Sequence, residues 1–310
     1  RLKKTSSIHP DLAMLYNCIG ISYESIGNHD KAIEYKQKAL DLFLRLLGSE
    51  HPLVAKSYIN ISASYISIGE YDKSIECLQK ALEIQLKKLG LEHPEIAYSY
   101  NNLGFSYNMK LEYEKAIEYY LKALEIQLKT LGSEHPDIAL SYNNLSNSSY
   151  LIGDFNKAME YLQKVIPVSG YINQDFSKVN SFEQLIIGLN RLSLTLQTQY
   201  NLNPNPHLLD QAIDYSLHGI AALDYQSATF TSESTKSFWQ TKNYNVFETS
   251  IGVTLEKAKV DKDEKLRKTT FTYAEKSKAS LLQSQIKETG ALAFSGIPDS
   301  SITKEHDLRI

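Results

Sequence analysis

Apolar and polar residues alternate through the first half of the chain with the spacing of an α-helix, and the whole pattern returns every 42 residues. The period is marked by His-Pro pairs that begin at His9, His51, His93 and His135. Counted from each histidine, apolar side chains occupy offsets 3, 4, 7 and 10, which fall on one face of an α-helix. Because proline in a first turn sacrifices no hydrogen bond, each His-Pro pair predicts the start of a helix, named helix A.

A second apolar stripe follows in each period and predicts a partner helix, helix B. Glycine can take the left-handed conformation that a tight helix exit requires, and glycines follow both predicted helices. They are Gly27, Gly69 and Gly153 after helix A, and Gly48, Gly90 and Gly132 after helix B. In the third repeat Lys110-Leu111 replaces the glycine that follows helix A in the other three repeats. This difference predicts that the turn after the third helix A is built in another way. Two antiparallel helices per period, stacked in series, predict an all-α fold, an α-solenoid.

The third repeat resembles the tetratricopeptide repeat. It has Tyr100-Asn101-Asn102-Leu103-Gly104 in helix A, and Ala116, Tyr120 and Ala123 in helix B. The 42-residue period and its Gly-x-x-His-Pro junction resemble in particular the long repeats of kinesin light chains and their bacterial relatives. The resemblance implies a right-handed α-solenoid that binds a protein or peptide in its concave groove.

The pattern divides the chain into three parts. Residues 1–170 hold four regular repeats, and the end of an earlier repeat is expected before them, because Leu2-Lys3-Lys4 precedes His9 as Leu86-Lys87-Lys88 precedes His93. An irregular fifth helical pair is expected in residues 171–230, at about 180–200 and about 207–225. Residues 231–310 are expected to form two longer helices, about 232–259 and about 263–289, and a connector toward a further domain.

The last part bears a second resemblance. Residues 273–282 resemble the last helix of bacterial proteins that join tetratricopeptide repeats to a caspase-like CHAT peptidase, and residues 296–309 resemble the connector that leads into it. The resemblance implies that the array is the regulatory region of such a peptidase. Its catalytic histidine and cysteine would lie beyond Ile310, so these 310 residues are predicted not to be an enzyme.

Composition narrows the classes of function further. The net charge of −3 gives no strong attraction to nucleic acid or to an anionic membrane, and no run of 18 apolar residues appears. Cys18 and Cys77 form neither a disulfide framework nor a zinc spacing, suit a reducing, cytoplasmic location, and are interpreted as packing variants. Histidines on stacked helices would lie about 8–10 Å apart, too far to share an ion, so no metal or other cofactor is expected.

Asparagines recur on two neighbouring rungs of helix A, although asparagine is a mediocre helix former. An amide has a donor pair and an acceptor that match the edge of an extended peptide backbone, and by resemblance asparagines here hold a ligand's backbone. The alternative is a structural ladder of side chains bonded between adjacent helices, and one rung could be structural while the other faces the groove. The rungs are Asn17, Asn101 and Asn143, and Asn60, Asn102 and Asn144.

Further residues on the same predicted inner face complete a mixed aromatic and amide wall, which suits a partly apolar partner segment. The wall lacks the paired cations that would clamp a terminal carboxylate and the basic stripe that nucleic acid requires. The additional residues predicted to bind a partner are Lys56, Tyr98, Phe105, Asn108, Asn147 and Tyr150. Two alternatives stay open, a stand-alone cargo or scaffold adaptor and a self-associating array, and no oligomeric state is predicted.

Overall fold

A computed structural model describes residues 10–288 of the chain, which divides into two compact units, residues 1–169 and 170–310. The first-repeat histidine His9, the Leu2-Lys3-Lys4 segment and the predicted connector at 296–309 lie outside the described residues. Unit 1 consists of four helical hairpins. Its helices are α1 (Pro10–Ser25), α2 (His29–Leu47), α3 (Pro52–Ser67), α4 (Tyr71–Leu89), α5 (Pro94–Met109), α6 (Tyr113–Thr130), α7 (Pro136–Leu151) and α8 (Phe155–Val168).

The hairpins of unit 1 stack in chain order. Each helix A packs against its own helix B, and α2, α4 and α6 pack in turn against α3, α5 and α7. Close approach within a hairpin depends on small residues, since a Cβ atom at Gly104 would lie 2.7 Å from the ring of Tyr120. The core along this stack is fully buried at Leu103 and Leu145. The predicted α-solenoid of helical hairpins is thereby confirmed.

The repeat histidines cap the helices that follow them. His51, His93 and His135 each occupy the N-cap position, with proline next in the chain. The Nδ1 atom of each ring accepts a hydrogen bond from the backbone N–H two residues later, at 3.2 Å in all three cases. An N-terminal N–H that has no partner inside the helix is thereby satisfied. The His-Pro pair thus begins helix A as predicted.

The turns after helix A are alike in all four repeats, and the prediction of a different turn in the third was wrong. Gly27, Gly69 and Gly153 have φ angles of 75°, 78° and 83°, and Leu111 adopts the same left-handed region with φ of 66°. The Leu111 side chain is 69% exposed, so its Cβ meets only local backbone. The fold therefore accepts a modest local strain instead of rebuilding the turn.

Unit 2 begins with a short loop and a 3₁₀ turn at Phe176–Lys178, followed by five α-helices. These are α9 (Phe182–Leu202), α10 (Pro206–Thr229), α11 (Glu233–Lys242), α12 (Asn245–Asp261) and α13 (Glu264–Glu288). The fifth pair matches α9 and α10, but the single helix expected at about 232–259 is two helices. The break lies at Asn243 and Tyr244, and both the side-chain amide and the backbone N–H of Asn243 donate to the carbonyl of Trp239, at 2.9 and 3.2 Å.

Candidate functional site

Three depressions lie between successive helices A of unit 1, and their linings define the helix A face. The depression between α1 and α3 has a volume of about 190 Å³, and those between α3 and α5 and between α5 and α7 have volumes of about 410 and 430 Å³. The first is lined by Met14, Asn17, Cys18, Lys56 and Asn60, among others. The third is lined by residues that include Tyr98, Asn101, Asn102, Phe105, Leu140 and Asn144.

Several large apolar side chains on the helix A face are exposed to solvent. Tyr98 and Phe105 of α5 are 59% and 43% exposed, and Met14 of α1 and Leu140 of α7 are 48% and 38% exposed. Large apolar side chains grouped in a depression are typical of a surface that contacts another molecule. Lys56 lies between the first two depressions, is exposed and makes no ion pair with the residues described.

Asn102 and Asn144 both line the largest depression and are half-buried. Neither side chain makes a hydrogen bond to any part of the chain that the structure describes. A partly buried amide without a protein partner retains its donor pair and its acceptor for another molecule. These two asparagines therefore present the hydrogen-bonding groups that a peptide backbone would pair with.

Other asparagines of the two rungs bond between helices instead. Asn60 Nδ2 donates to Asn17 Oδ1 at 3.0 Å, which joins α3 to α1. Asn101 Oδ1 accepts a 3.3 Å hydrogen bond from Ser141, which joins α5 to α7. The structural ladder proposed as the alternative is thus present in the first junction, and a serine takes part in it in the third.

Three more of the residues predicted to bind a partner either contact neighbouring side chains or are buried. Asn108 donates to Ser148 Oγ at 2.7 Å, and the ring of Tyr150 packs edge-on against Phe155 at 5.3 Å between centroids. Asn143 is only 2% exposed, so it cannot touch a partner in this structure and leaves the candidate site. Asn147 is half-buried and lines none of the three depressions.

Comparison with known protein families identifies the type of repeat in unit 1. Residues 11–87 and 95–169 match the sequence model of the tetratricopeptide repeat. Unit 1 is a tetratricopeptide repeat array. The curated proteins gave no match to the chain.

Solved structures of other proteins have a fold similar to that of this chain. Nearly identical tetratricopeptide-like repeats of a candidate kinesin light chain from Podosopora anserina share 24% identity, with a TM-score of 0.56 over 72% of this chain and 99% of that one. BtubC from P. vanneervenii shares 22% identity, with a TM-score of 0.51 over 70% and 78%. RapI without its ligand shares 20%, with a TM-score of 0.53 over 82% and 66%. At these identities the likeness concerns the fold alone.

The tetratricopeptide array contains a buried ion pair that the sequence analysis missed. Lys36 of α2 is 2% exposed, and its Nζ donates to Glu24 Oε2 at 2.8 Å, to Ser64 Oγ at 2.8 Å and to the Asn60 carbonyl at 3.0 Å. Ser64 in turn donates to Glu24 Oε1 at 2.6 Å. Burial raises the pKa of Glu24, but the hydrogen bonds from Lys36 and Ser64 and the charge of Lys36 outweigh it, and the pKa lies below its ordinary value.

A signal for this network was present in the sequence. The position of Lys36 holds Leu78, Tyr120 and Leu162 in the next three repeats, and all three are buried. A lysine in a buried register is rare without a paired anion, so it indicates an acid nearby. The network lies one helical turn from the Asn17–Asn60 bond and fixes α3 beside α1 at the edge of the helix A face.

Cys77 is a partly buried free cysteine of α4. Burial raises the pKa of the Cys77 thiol to about 11, with smaller effects of Lys80 and Glu76, which disfavours a reactive thiolate. Within residues 10–288, no group of three histidine, cysteine, aspartate or glutamate side chains could hold a metal ion. Over the same range, the helices are too short or too polar to span a bilayer.

Proposed function

We propose that the tetratricopeptide array binds an extended segment of a partner protein along the helix A face. The observation that supports this most directly is the pair Asn102 and Asn144, whose amides make no bond to the described chain while lining the largest depression. Tyr98 and Phe105 are exposed on both sides of Asn102 along α5. An amide pair for backbone groups, placed between apolar contacts, matches the way extended peptides are held.

The length and chemistry of the segment follow from the face. Four helices A spaced by about 10 Å span roughly 30 Å, which an extended strand covers with about nine residues. Apolar side chains of the partner would occupy the depressions beside Met14 and Tyr98. Lys56, which lies between the first two depressions and makes no ion pair with the residues described, would pair with an acidic side chain of the partner.

The test begins from a library of random 12-residue peptides displayed on phage and selected against the whole chain, because no partner is identified. Enriched peptides are then titrated against the native chain and the Asn102→Ala, Asn144→Ala double variant. Each lost amide pairing is worth about 1 kcal/mol, so we expect the double variant to bind about tenfold or more weakly. Because alanine is the better helix former, we expect its melting temperature to be unchanged or slightly higher.

Two further variants give reference values for the stability and binding measurements. Asn17→Ala with Asn60→Ala removes the side-chain bond between α1 and α3, and we expect a loss of about 1 kcal/mol of unfolding free energy. Asn201→Ala alters an exposed amide in unit 2 and should change neither quantity. Enriched peptides that bind the Asn102, Asn144 double variant as tightly as the native chain, or a selection that enriches none, would contradict the proposal.

We further propose that the array is the cytoplasmic regulatory region of a bacterial CHAT-type peptidase. The support is the resemblance of residues 273–282 and 296–309 to the segment that precedes such peptidases. The gene sequence after the codon for Ile310 tests it. An α/β domain with a histidine and a cysteine in catalytic spacing supports the proposal, and a stop codon or further helical repeats would favour the adaptor instead.

A further inference from the structure

A depression in unit 2 contains a buried amide group whose oxygen has no partner. The depression lies between α9 and the break that separates α11 from α12, has a volume of about 240 Å³ and is named the α9 depression. Asn190 of α9 lines it and is 8% exposed. Its Oδ1 atom is enclosed and makes no hydrogen bond within the part of the chain that the structure describes. An enclosed acceptor without a donor is destabilising, so this amide indicates a group that the protein chain does not supply.

The regular repeats satisfy the corresponding position. Gly188 of α9 has the register of Gly104 in α5, so Asn190 corresponds to the serine two residues after that glycine. In α3, α5 and α7 the serine hydroxyl takes part in a hydrogen bond, of 2.6, 3.0 and 2.7 Å respectively. These serines are Ser64, Ser106 and Ser148. The unpaired amide is therefore particular to α9 and is not a property of the repeat.

Charged groups of both signs line the same depression. Arg191 follows Asn190 in α9, Lys242 ends α11, and Glu183 lies in the first turn of α9. Lys242 Nζ donates to Glu183 Oε1 at 2.7 Å, and these two side chains are 47% and 45% exposed. A carboxylate has lone pairs for several donors, so Glu183 can accept from a second one. A lone anion would pair with Arg191 but leave Asn190 Oδ1 without a donor, and a lone amine would satisfy that oxygen but face two cations.

The remaining lining that the argument uses is apolar. Ile186 and Val246 are at most 1% exposed, and Ile187 is half-buried. The volume of about 240 Å³ lies below the range of roughly 300–1,000 Å³ that drug-sized ligands occupy, so the depression suits a smaller molecule. A small zwitterion with an aliphatic side chain combines these features.

We propose that the α9 depression binds a free aliphatic α-amino acid. Its ammonium group donates to Asn190 Oδ1 and to Glu183, and its carboxylate accepts from the Arg191 guanidinium. One carbon atom carries both ligand groups, as neighbouring residues of α9 carry the amide and the guanidinium. Its side chain contacts Ile186 and Val246. All of these residues belong to unit 2, so the site does not depend on the peptide site proposed for unit 1.

Isothermal titration calorimetry of the whole chain tests the proposal with L-leucine, L-isoleucine and L-valine. Two analogues of leucine lack one charged group each, since isocaproate has no amine and isoamylamine has no carboxylate. Hydrogen bonds to charged groups are the stronger ones, so we expect each analogue to bind at least about tenfold more weakly than leucine. No measurable binding of any of the three amino acids, or an analogue that binds as tightly as leucine, would overturn the proposal.

Three variants locate the bound amino acid. Asn190→Ala and Arg191→Met should each weaken leucine binding at least about tenfold, and Asn201→Ala, which alters an exposed amide of α9, should leave it unchanged. Asn190→Ala should leave the melting temperature without ligand unchanged or slightly higher, since alanine is the better helix former. Leucine binding that survives Asn190→Ala would overturn the proposal. So would a clear loss of stability in that variant, because the amide would then be paired within the fold.

Discussion

At the scale of single residues, the array uses histidine where many helices begin with serine, threonine or aspartate. His51, His93 and His135 accept a backbone N–H through Nδ1, so each ring performs the task that a short oxygen side chain performs elsewhere. The conserved geometry of the three caps explains why the His-Pro pair was such a regular marker in the sequence.

The cap can be tested at the middle repeat. We expect His93→Ala to lower the unfolding free energy by about 1 kcal/mol, because the N–H of Glu95 loses its acceptor. His93→Asn should cost much less, since asparagine is among the best N-cap residues. Urea unfolding followed by circular dichroism measures both. If asparagine costs as much as alanine, the imidazole acts by packing and not as an acceptor.

Leu111 gives a second prediction at this scale. Its φ of 66° is costly for a side chain with a Cβ and almost free for glycine, so we expect Leu111→Gly to raise the unfolding free energy by about 1 kcal/mol. Leu91→Gly is the matched control, since Leu91 is 71% exposed in a loop but has no positive φ. It should be neutral or destabilising, because glycine there only adds freedom to the unfolded chain. Equal effects of the two changes would contradict the assignment of strain to Leu111.

At the scale of helices, the first junction differs from the others in how α1, α2 and α3 are held together. Lys36 joins all three helices through Glu24, Ser64 and the carbonyl of Asn60. The second repeat holds an aliphatic pair, Ile66 and Leu78, at the positions of Glu24 and Lys36. The same backbone therefore accepts either a polar or an apolar junction.

We expect Lys36→Ala to lower the unfolding free energy by about 3 kcal/mol, because it leaves the partly buried Glu24 carboxylate without its cation. The double change Glu24→Ile with Lys36→Leu installs the residues of the second repeat and should stay within about 1 kcal/mol of the native chain. Chemical denaturation at neutral pH compares the three. A double variant as unstable as Lys36→Ala would show that packing, and not the orphaned charge, dominates.

The ion pair of Glu24 and Lys36 makes the stability of the fold depend on pH. Because the folded pKa of Glu24 lies below its ordinary value, the unfolded chain binds the proton first as pH falls. The contribution of Glu24 is therefore complete above the ordinary value of 4.5 and is lost as pH falls through the folded pKa. The difference in unfolding free energy between the native chain and Glu24→Gln should shrink across that acid range. A difference that stays constant from neutral to acid pH would contradict it.

At the scale of the whole molecule, each unit has a buried core of its own. Leu103 and Leu145 are fully buried in unit 1, and Leu189, Leu196 and Leu223 are at most 1% exposed in unit 2. Since repeat arrays are stabilised by contacts between neighbouring repeats, residues 1–169 are expected to fold without the remainder. We predict a helical circular dichroism spectrum and a cooperative thermal transition for that fragment. A fragment without a cooperative transition would show that its stability depends on unit 2.

Most of the architecture of unit 1 could be predicted from periodicity, because each helix repeats the same few positions. The hydrogen-bonding state of the asparagines could not, since Asn60 and Asn102 have the same register but only Asn60 has an amide opposite it. The break between α11 and α12 at Asn243 also escaped prediction, because the apolar pattern runs through it. Hydrogen bonds made by polar side chains leave little trace in hydrophobic spacing.

The unequal asparagine rungs have one more consequence. At the α1 end of the face one hydrogen bond joins the amides of Asn17 and Asn60, while at the α7 end the amides of Asn102 and Asn144 make none to the described chain. A chain has a distinct amino and carboxyl direction, so a strip with unlike ends cannot treat the two directions equally. A bound sequence and its reversed counterpart should therefore differ in affinity, and the array should recognise the polarity of its ligand as well as its composition.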